Sequence, residues 1–190
     1  MRCFLGIALP PSVRDAVEAA ILPFRGTRGD VSWVAKGNLH ITLKFLGEIR
    51  PERIPDVGEA VSGAAGEASP FSLEASGGGT FPSARNPRVL WAGLREPLEL
   101  VGKLQQNIEN ALSGAGFPRE DRPFHPHITV GRVRGALPAA WGERFVQGLS
   151  GRDFGIVPVS SIVLYESRLA PGGAIYSVVR EFPLGKENAR

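Results

Sequence analysis

The tetrad His40-Ile41-Thr42-Leu43 recurs 87 positions later as His127-Ile128-Thr129-Val130. β-Branched Ile and Thr favour extended backbone, and along a strand successive side chains alternate between two faces. Each copy therefore turns its imidazole and hydroxyl to one side and its two aliphatic residues to the other. A chain with two such strands has to cover both aliphatic faces while leaving both polar faces accessible. The pattern predicts strands over Leu39 to Leu46, closed by Gly47, and over His127 to Val133.

The remaining chain supplies the cover. Valines, alanines, isoleucine and phenylalanine at helical spacing predict a helix over Pro11 to Phe24, with others over Pro51 to Ala65, Leu98 to Leu112 and near Ala139 to Leu149. Arg2 to Leu9, Val31 to Ala35, Phe71 to Ser76, Arg88 to Leu94 and three segments between Phe154 and Phe182 read as strands. Helices and strands mix without strict alternation, which predicts an α+β class with antiparallel pairing and helices on the outer faces. With 190 residues, 43% hydrophobic and 22% charged, and no long linker, residues 1–190 are expected to form one domain of two lobes sharing a core. Gly77 to Gly79 lacks the GK[ST] continuation of a phosphate loop and reads as a flexible turn.

Composition narrows the chemistry. The single cysteine, Cys3, excludes an internal disulfide framework and a cysteine-rich zinc site, and fits a reducing compartment. The apolar run Phe4 to Leu9 is cut by Pro10 and Pro11, too short for a signal peptide or membrane span, so a cytoplasmic protein without membrane contact is expected. Net charge is +3, with 18 arginines against 4 lysines, a bias that GC-rich coding explains at least as well as phosphate recognition.

Only three histidines are available for proton transfer near neutrality: His40, His125 and His127. Two imidazoles facing one phosphorus suit phosphodiester chemistry without metal or cofactor, one deprotonating the attacking oxygen and the other protonating the leaving one. Thr42 and Thr129 can donate hydrogen bonds to nonbridging phosphate oxygens. Arg132 is five positions after His127 and faces away on a straight strand unless a bulge or strand end turns it to the phosphate. Lys44 shares the register of His40 and Thr42 and reads as exposed, whereas Phe45 reads as core. A zinc site made of His40, His125 and His127 is chemically possible, but leaves the duplicated threonines unexplained; His125 is expected to be exposed. Trp33, Trp91, Tyr176 and Arg168 are candidates for stacking on a base, with core packing preferred for Trp33 and Trp91. Trp141 falls in a predicted surface helix without a role.

The paired motif, within Asn38 to Glu48 and Pro126 to Arg132, resembles the two-histidine phosphoesterase superfamily, and within it the RNA 2′,3′-cyclic phosphodiesterases also described as 2′-5′ RNA ligases. The likeness extends to Arg2 to Pro10, Phe81 to Ser83, Pro87 to Gly93, Glu166 to Leu169, Pro171-Gly172-Gly173 and Tyr176. It implies two antiparallel sheets facing across a central cleft. It also implies hydrolysis of an RNA terminal 2′,3′-cyclic phosphate to a 2′-phosphomonoester, reversible as 2′-5′ ligation, with RNA ends, tRNA fragments or nucleotides as substrates of a monomeric enzyme. By position His40 is the general acid, His127 the general base and Arg132 a phosphate ligand, although near-symmetry of the motifs leaves the direction within the pair open. A noncatalytic module that binds RNA ends is the alternative outside enzymology.

Overall fold

The computed structural model describes residues 1–26, 29–171 and 173–185; Gly172 of the terminal glycine run lies outside them. Its elements are β1 (Arg2–Ala8), α1 (Pro11–Arg25), β2 (Val31–Trp33), β3 (His40–Glu48), α2 (Ile54–Gly66), β4 (Phe71–Pro82), β5 (Pro87–Arg95), α3 (Leu98–Gly114), β6 (Ile128–Val133), α4 (Trp141–Leu149), β7 (Asp153–Val159), β8 (Ser161–Ala170) and β9 (Gly173–Pro183). The α+β class with antiparallel pairing is as the sequence predicts. Helix α1 starts with Pro11, whose fixed φ suits a first turn, and buries Val13, Val17, Ala20 and Ile21. None of the described helices is long and apolar enough to cross a membrane.

The strands run in the order β7-β4-β5-β6-β3-β1-β8-β9, with β2 added on β6. Two antiparallel four-strand groups, β3-β1-β8-β9 and β6-β5-β4-β7, thus form one continuous sheet. They are joined where Ile41 of β3 stands opposite Ile128 of β6, each the residue after its histidine. Antiparallel geometry about that pair sets Thr42 across from His127 and Thr129 across from His40. Ile41, Leu43, Ile128 and Val130 are buried in the common core, so the histidines and threonines occupy the other face. Helices α2 and α3 pack together and against β9 and β3, whereas α1 and α4 pack against β7 and β4.

Local departures from the sequence reading have physical causes. Gly77 to Gly79 is the middle of β4 rather than a turn. Gly77 has φ +67°, open only at low cost to glycine. A Cβ at Gly79 would lie 2.2 Å from Cζ2 of Trp91, and one at Gly78 would lie 2.5 Å from a Leu149 methyl. The run lets the strand pass between an indole and helix α4. Trp141 is buried and stacks on Phe145 at 5.6 Å between ring centroids, so α4 turns its first residue into the core rather than to solvent.

Candidate active site

The two motifs build the same small unit. In β3, His40 Nδ1–H donates to the Asn38 carbonyl at 2.7 Å, and Nε2 meets the Thr42 hydroxyl at 2.9 Å. Leading into β6, His127 Nδ1–H donates to the His125 carbonyl at 2.6 Å, and Nε2 meets the Thr129 hydroxyl at 3.1 Å. A carbonyl can only accept, so each Nδ1 carries the hydrogen, and each neutral Nε2 accepts from its threonine. The nitrogen of each ring that carries no hydrogen is thereby Nε2. Burial holds both imidazole pKa values below the usual histidine value, against the hydrogen bonds to the carbonyls. The Arg132 guanidinium lowers both further, and the charge of His127 acts on His40.

Matching bulges follow the histidines. Opposite β1, Thr42 pairs with Gly6 and Lys44 with Leu5, so Leu43 is the extra residue. Opposite β5, Thr129 pairs with Trp91 and Gly131 with Leu90, so Val130 is extra. A bulged residue advances the strand without consuming a partner and reverses which face the later residues take. Arg132, two residues beyond the Val130 bulge, is exposed, and its positive charge acts on both histidines. Its side chain makes no hydrogen bond or ion pair among the described residues.

The same shift corrects two expectations in β3. Lys44 is 5% exposed rather than at a cleft mouth, and Phe45 is 56% exposed rather than core. Lys44 Nζ donates to both Glu109 carboxylate oxygens at 2.8 and 2.9 Å and to the Pro118 carbonyl at 2.9 Å. All three ammonium donors are used, which lets the charge sit beneath α3.

Aromatic walls stand beside each imidazole. His40 lies 4.7 Å from the Phe4 ring centroid and 5.4 Å, edge-on, from Tyr176, with Tyr165 at 6.1 Å. His127 lies 5.2 Å from Phe81 and 6.4 Å from Trp91. Of the four stacking candidates the structure brings Tyr176 and Trp91 to the site, the latter against the core preference. Trp33 packs towards the core at 6.3 Å from Trp141. Arg168 pairs with Glu166 at 2.8 Å on the hairpin face opposite Tyr176. Phe4, Phe81 and Tyr165 escaped the sequence reading because apolar strand residues look alike until pairing decides their face. Gly6 is another such residue: a Cβ there would meet the Ile41 carbonyl oxygen at 2.8 Å and His40 Cδ2 at 3.3 Å, so its absence lets the imidazole lie against β1.

His125 is exposed and contributes its carbonyl to the site; its ring lies 6.1 Å from Phe81. No group of three or more His, Cys, Asp or Glu side chains gathers as a metal site among the described residues, so the arrangement of His40, His125 and His127 as three ligands is not formed.

Comparison with known proteins fits this geometry. The model of the LigT-like phosphoesterases matches residues 7–91, which hold His40, and 94–176, which hold His127. A protein of Archaeoglobus fulgidus named RNA 2′,3′-cyclic phosphodiesterase is 36% identical over 96% of this chain and 99% of its own. One of the same name from Thermus thermophilus is 34% identical over 100% of this chain and 93% of its own. The crystal structure of Escherichia coli LigT complexed with 3′-AMP superposes with a TM-score of 0.72 at 28% identity, covering 96% of this chain and 97% of that one. Two histidine-threonine units on neighbouring strands, matched on both sides by one family model, place this chain in the LigT-like phosphoesterase family.

Proposed function

We propose that this protein hydrolyses the 2′,3′-cyclic phosphate at an RNA end to a 2′-phosphomonoester, using His40 and His127 as a proton-transfer pair without metal or cofactor. The observation that carries the reading is the duplicated carbonyl–imidazole–hydroxyl unit on strands joined at Ile41 and Ile128. The names of the full-length relatives support the substrate class.

In the proposed reaction His127 Nε2 takes a proton from water as its oxygen bonds to phosphorus, and His40, protonated at Nε2, gives its proton to the departing 3′ oxygen. The Thr42 and Thr129 hydroxyls turn from the imidazoles to nonbridging oxygens, and Arg132 offsets the charge that builds there. With the 5′-hydroxyl of a second RNA in place of water, the same two proton transfers form a 2′-5′ linkage, and their reversal opens it again. The two ranges matched by the family model and the mirrored strand groups support reading residues 1–190 as a single domain with internal pseudo-two-fold symmetry.

The test is hydrolysis of RNA ending in a 2′,3′-cyclic phosphate, in excess EDTA, with the phosphomonoester identified. A 2′-phosphate is expected, and H40A and H127A are each expected to lose about 10²-fold or more. Full activity in either variant would sink the reading, as would activity abolished by EDTA and restored by zinc. Tight binding of the RNA end without turnover would make the chain a binding module.

A further inference from the structure

Beside His127 the sheet carries an aromatic floor. Trp91 of β5 stands opposite Thr129 on one side and Gly79 of β4 on the other, on the face that holds the histidines. A Cβ at Gly79 would collide with Cζ2 and Cη2 of the indole, and one at Gly93, two positions further along β5, would lie 3.5 Å from Cζ3. The half-buried indole therefore lies flat on strand backbone, in the space where two side chains would stand, with one π face down and the other turned to the cleft. Phe81 continues the surface at 5.2 Å and 34° to Trp91, and stands edge-on to His127; the exposed His125 ring follows at 6.1 Å from Phe81. Arg132 stands opposite Val89, two residues before Trp91, so the floor begins beside the proposed phosphate ligand. The indole Nε1–H is buried and makes no hydrogen bond among the described residues. An unpaired buried donor is costly and a phenyl ring would avoid that cost, so packing alone does not account for the wider ring.

We infer that this floor seats the base of the second nucleoside, the one that carries the 5′ oxygen of a 2′-5′ linkage. The inference rests on the phosphodiesterase reading and its reversible 2′-5′ step, and adds Trp91 as a specificity-determining residue for the far side of the phosphate. When the linkage opens, the 3′ hydroxyl oxygen bonds to phosphorus and gives its proton to His40 Nε2. The bond from phosphorus to the 5′ oxygen breaks, and that oxygen takes a proton from His127 Nε2. In ligation both transfers run backwards. The nucleoside attached to the 5′ oxygen thus lies on the His127 side in either direction, and the flat surface there is Trp91 with Phe81. Water needs no such surface, so the floor separates reaction with an RNA 5′ end from hydrolysis. Stacking uses the π face that every base has, so the floor secures the second nucleoside without choosing among bases.

The experiment follows the opening of 2′-5′-linked ApA and of the matching ester in which methyl ribofuranoside replaces the second adenosine, with hydrolysis of adenosine 2′,3′-cyclic phosphate as the reference. The wild type is expected to open ApA with a higher kcat/KM than the ester. W91A is expected to lower kcat/KM for ApA about tenfold more than for either substrate without a second base, mostly through KM. W91L keeps apolar bulk without a ring face and is expected to behave like W91A, whereas W91F is expected to keep most of the preference. Equal penalties on all three substrates, or no wild-type preference for the second base, overturn the inference while leaving the phosphodiesterase reading intact. So does a wild type that hydrolyses the cyclic phosphate yet opens no 2′-5′ linkage. Turnover of none of the three by the wild type removes both.

Discussion

At the scale of single residues, the site is tuned by what surrounds two imidazoles of identical design. Each is fixed at Nδ1 by the carbonyl two residues earlier and depressed in pKa by burial. The guanidinium of Arg132 adds to that depression at both rings, because a nearby positive charge disfavours a second one. The free enzyme is therefore expected to show a bell-shaped profile of kcat/KM whose limbs lie on the acid side of about pH 6.5, the ordinary histidine value. The two apparent pKa values belong to the pair rather than to either ring. R132M removes a positive charge, so both limbs are expected to move to higher pH while kcat/KM falls by about 10²-fold, the cost of losing one donor to a developing anion. Limbs that stay put in R132M would place the arginine away from the histidines. His40, Thr42, His127 and Thr129 were legible in the sequence because alternation along one strand is a local rule. Tyr176 and Trp91 were not fully so, since the face that β9 or β5 turns to the site depends on strands paired from far away in the chain.

At the scale of elements, one inserted residue directly after each motif decides which face the next residues take. The bulges at Leu43 and Val130 carry Arg132 to the site, and they also send Lys44 inward and Phe45 outward. Sequence periodicity cannot announce a bulge: it is a property of the pairing with β1 or β5, and an unbroken period of two gives the wrong face for the residues that directly follow it. Lys44 has become part of a buried ion pair, with side-chain exposures of 4% for Lys44 and 8% for Glu109. Such a pair contributes little against an apolar substitute but is costly to break on one side. K44M leaves the Glu109 carboxylate buried and unpaired, and is expected to lower unfolding free energy by about 3–5 kcal/mol, read from urea denaturation. K44M/E109L removes both charges and is expected to recover most of that loss. A double variant as unstable as the single one would show that the pair itself, rather than the orphaned charge, carries the stability. Gly77 to Gly79 teaches the same lesson at β4, where glycines that read locally as a turn are demanded by Trp91 and Leu149 from other elements.

At the scale of the whole molecule, the mixed order of helices and strands was enough to predict an α+β class, yet not how the chain divides itself between the halves. It crosses repeatedly. Helix α1 follows β1 of one strand group and packs on β7 of the other, while α3 follows β5 of the second group and packs beside β3 of the first. These contacts join distant parts of the sequence, which is why local patterning is silent about them. Direct register between β3 and β6 is confined to Ile41 and Ile128, so the exchanged helices supply much of what ties the halves together. Neither half can lose its packing without exposing helices that interrupt the strands of the other, and the protein is expected to unfold in one cooperative step. The aromatic residues allow a direct check, because all three tryptophans, Trp33, Trp91 and Trp141, sit with the β6 group, and both tyrosines, Tyr165 and Tyr176, sit in the β3 group. Tryptophan fluorescence and ¹⁹F resonances of fluorotyrosine should follow the same urea transition with the same midpoint and slope. Separate midpoints would mean that the halves fold independently, and that the distance between the two histidines is set by docking rather than by a shared core.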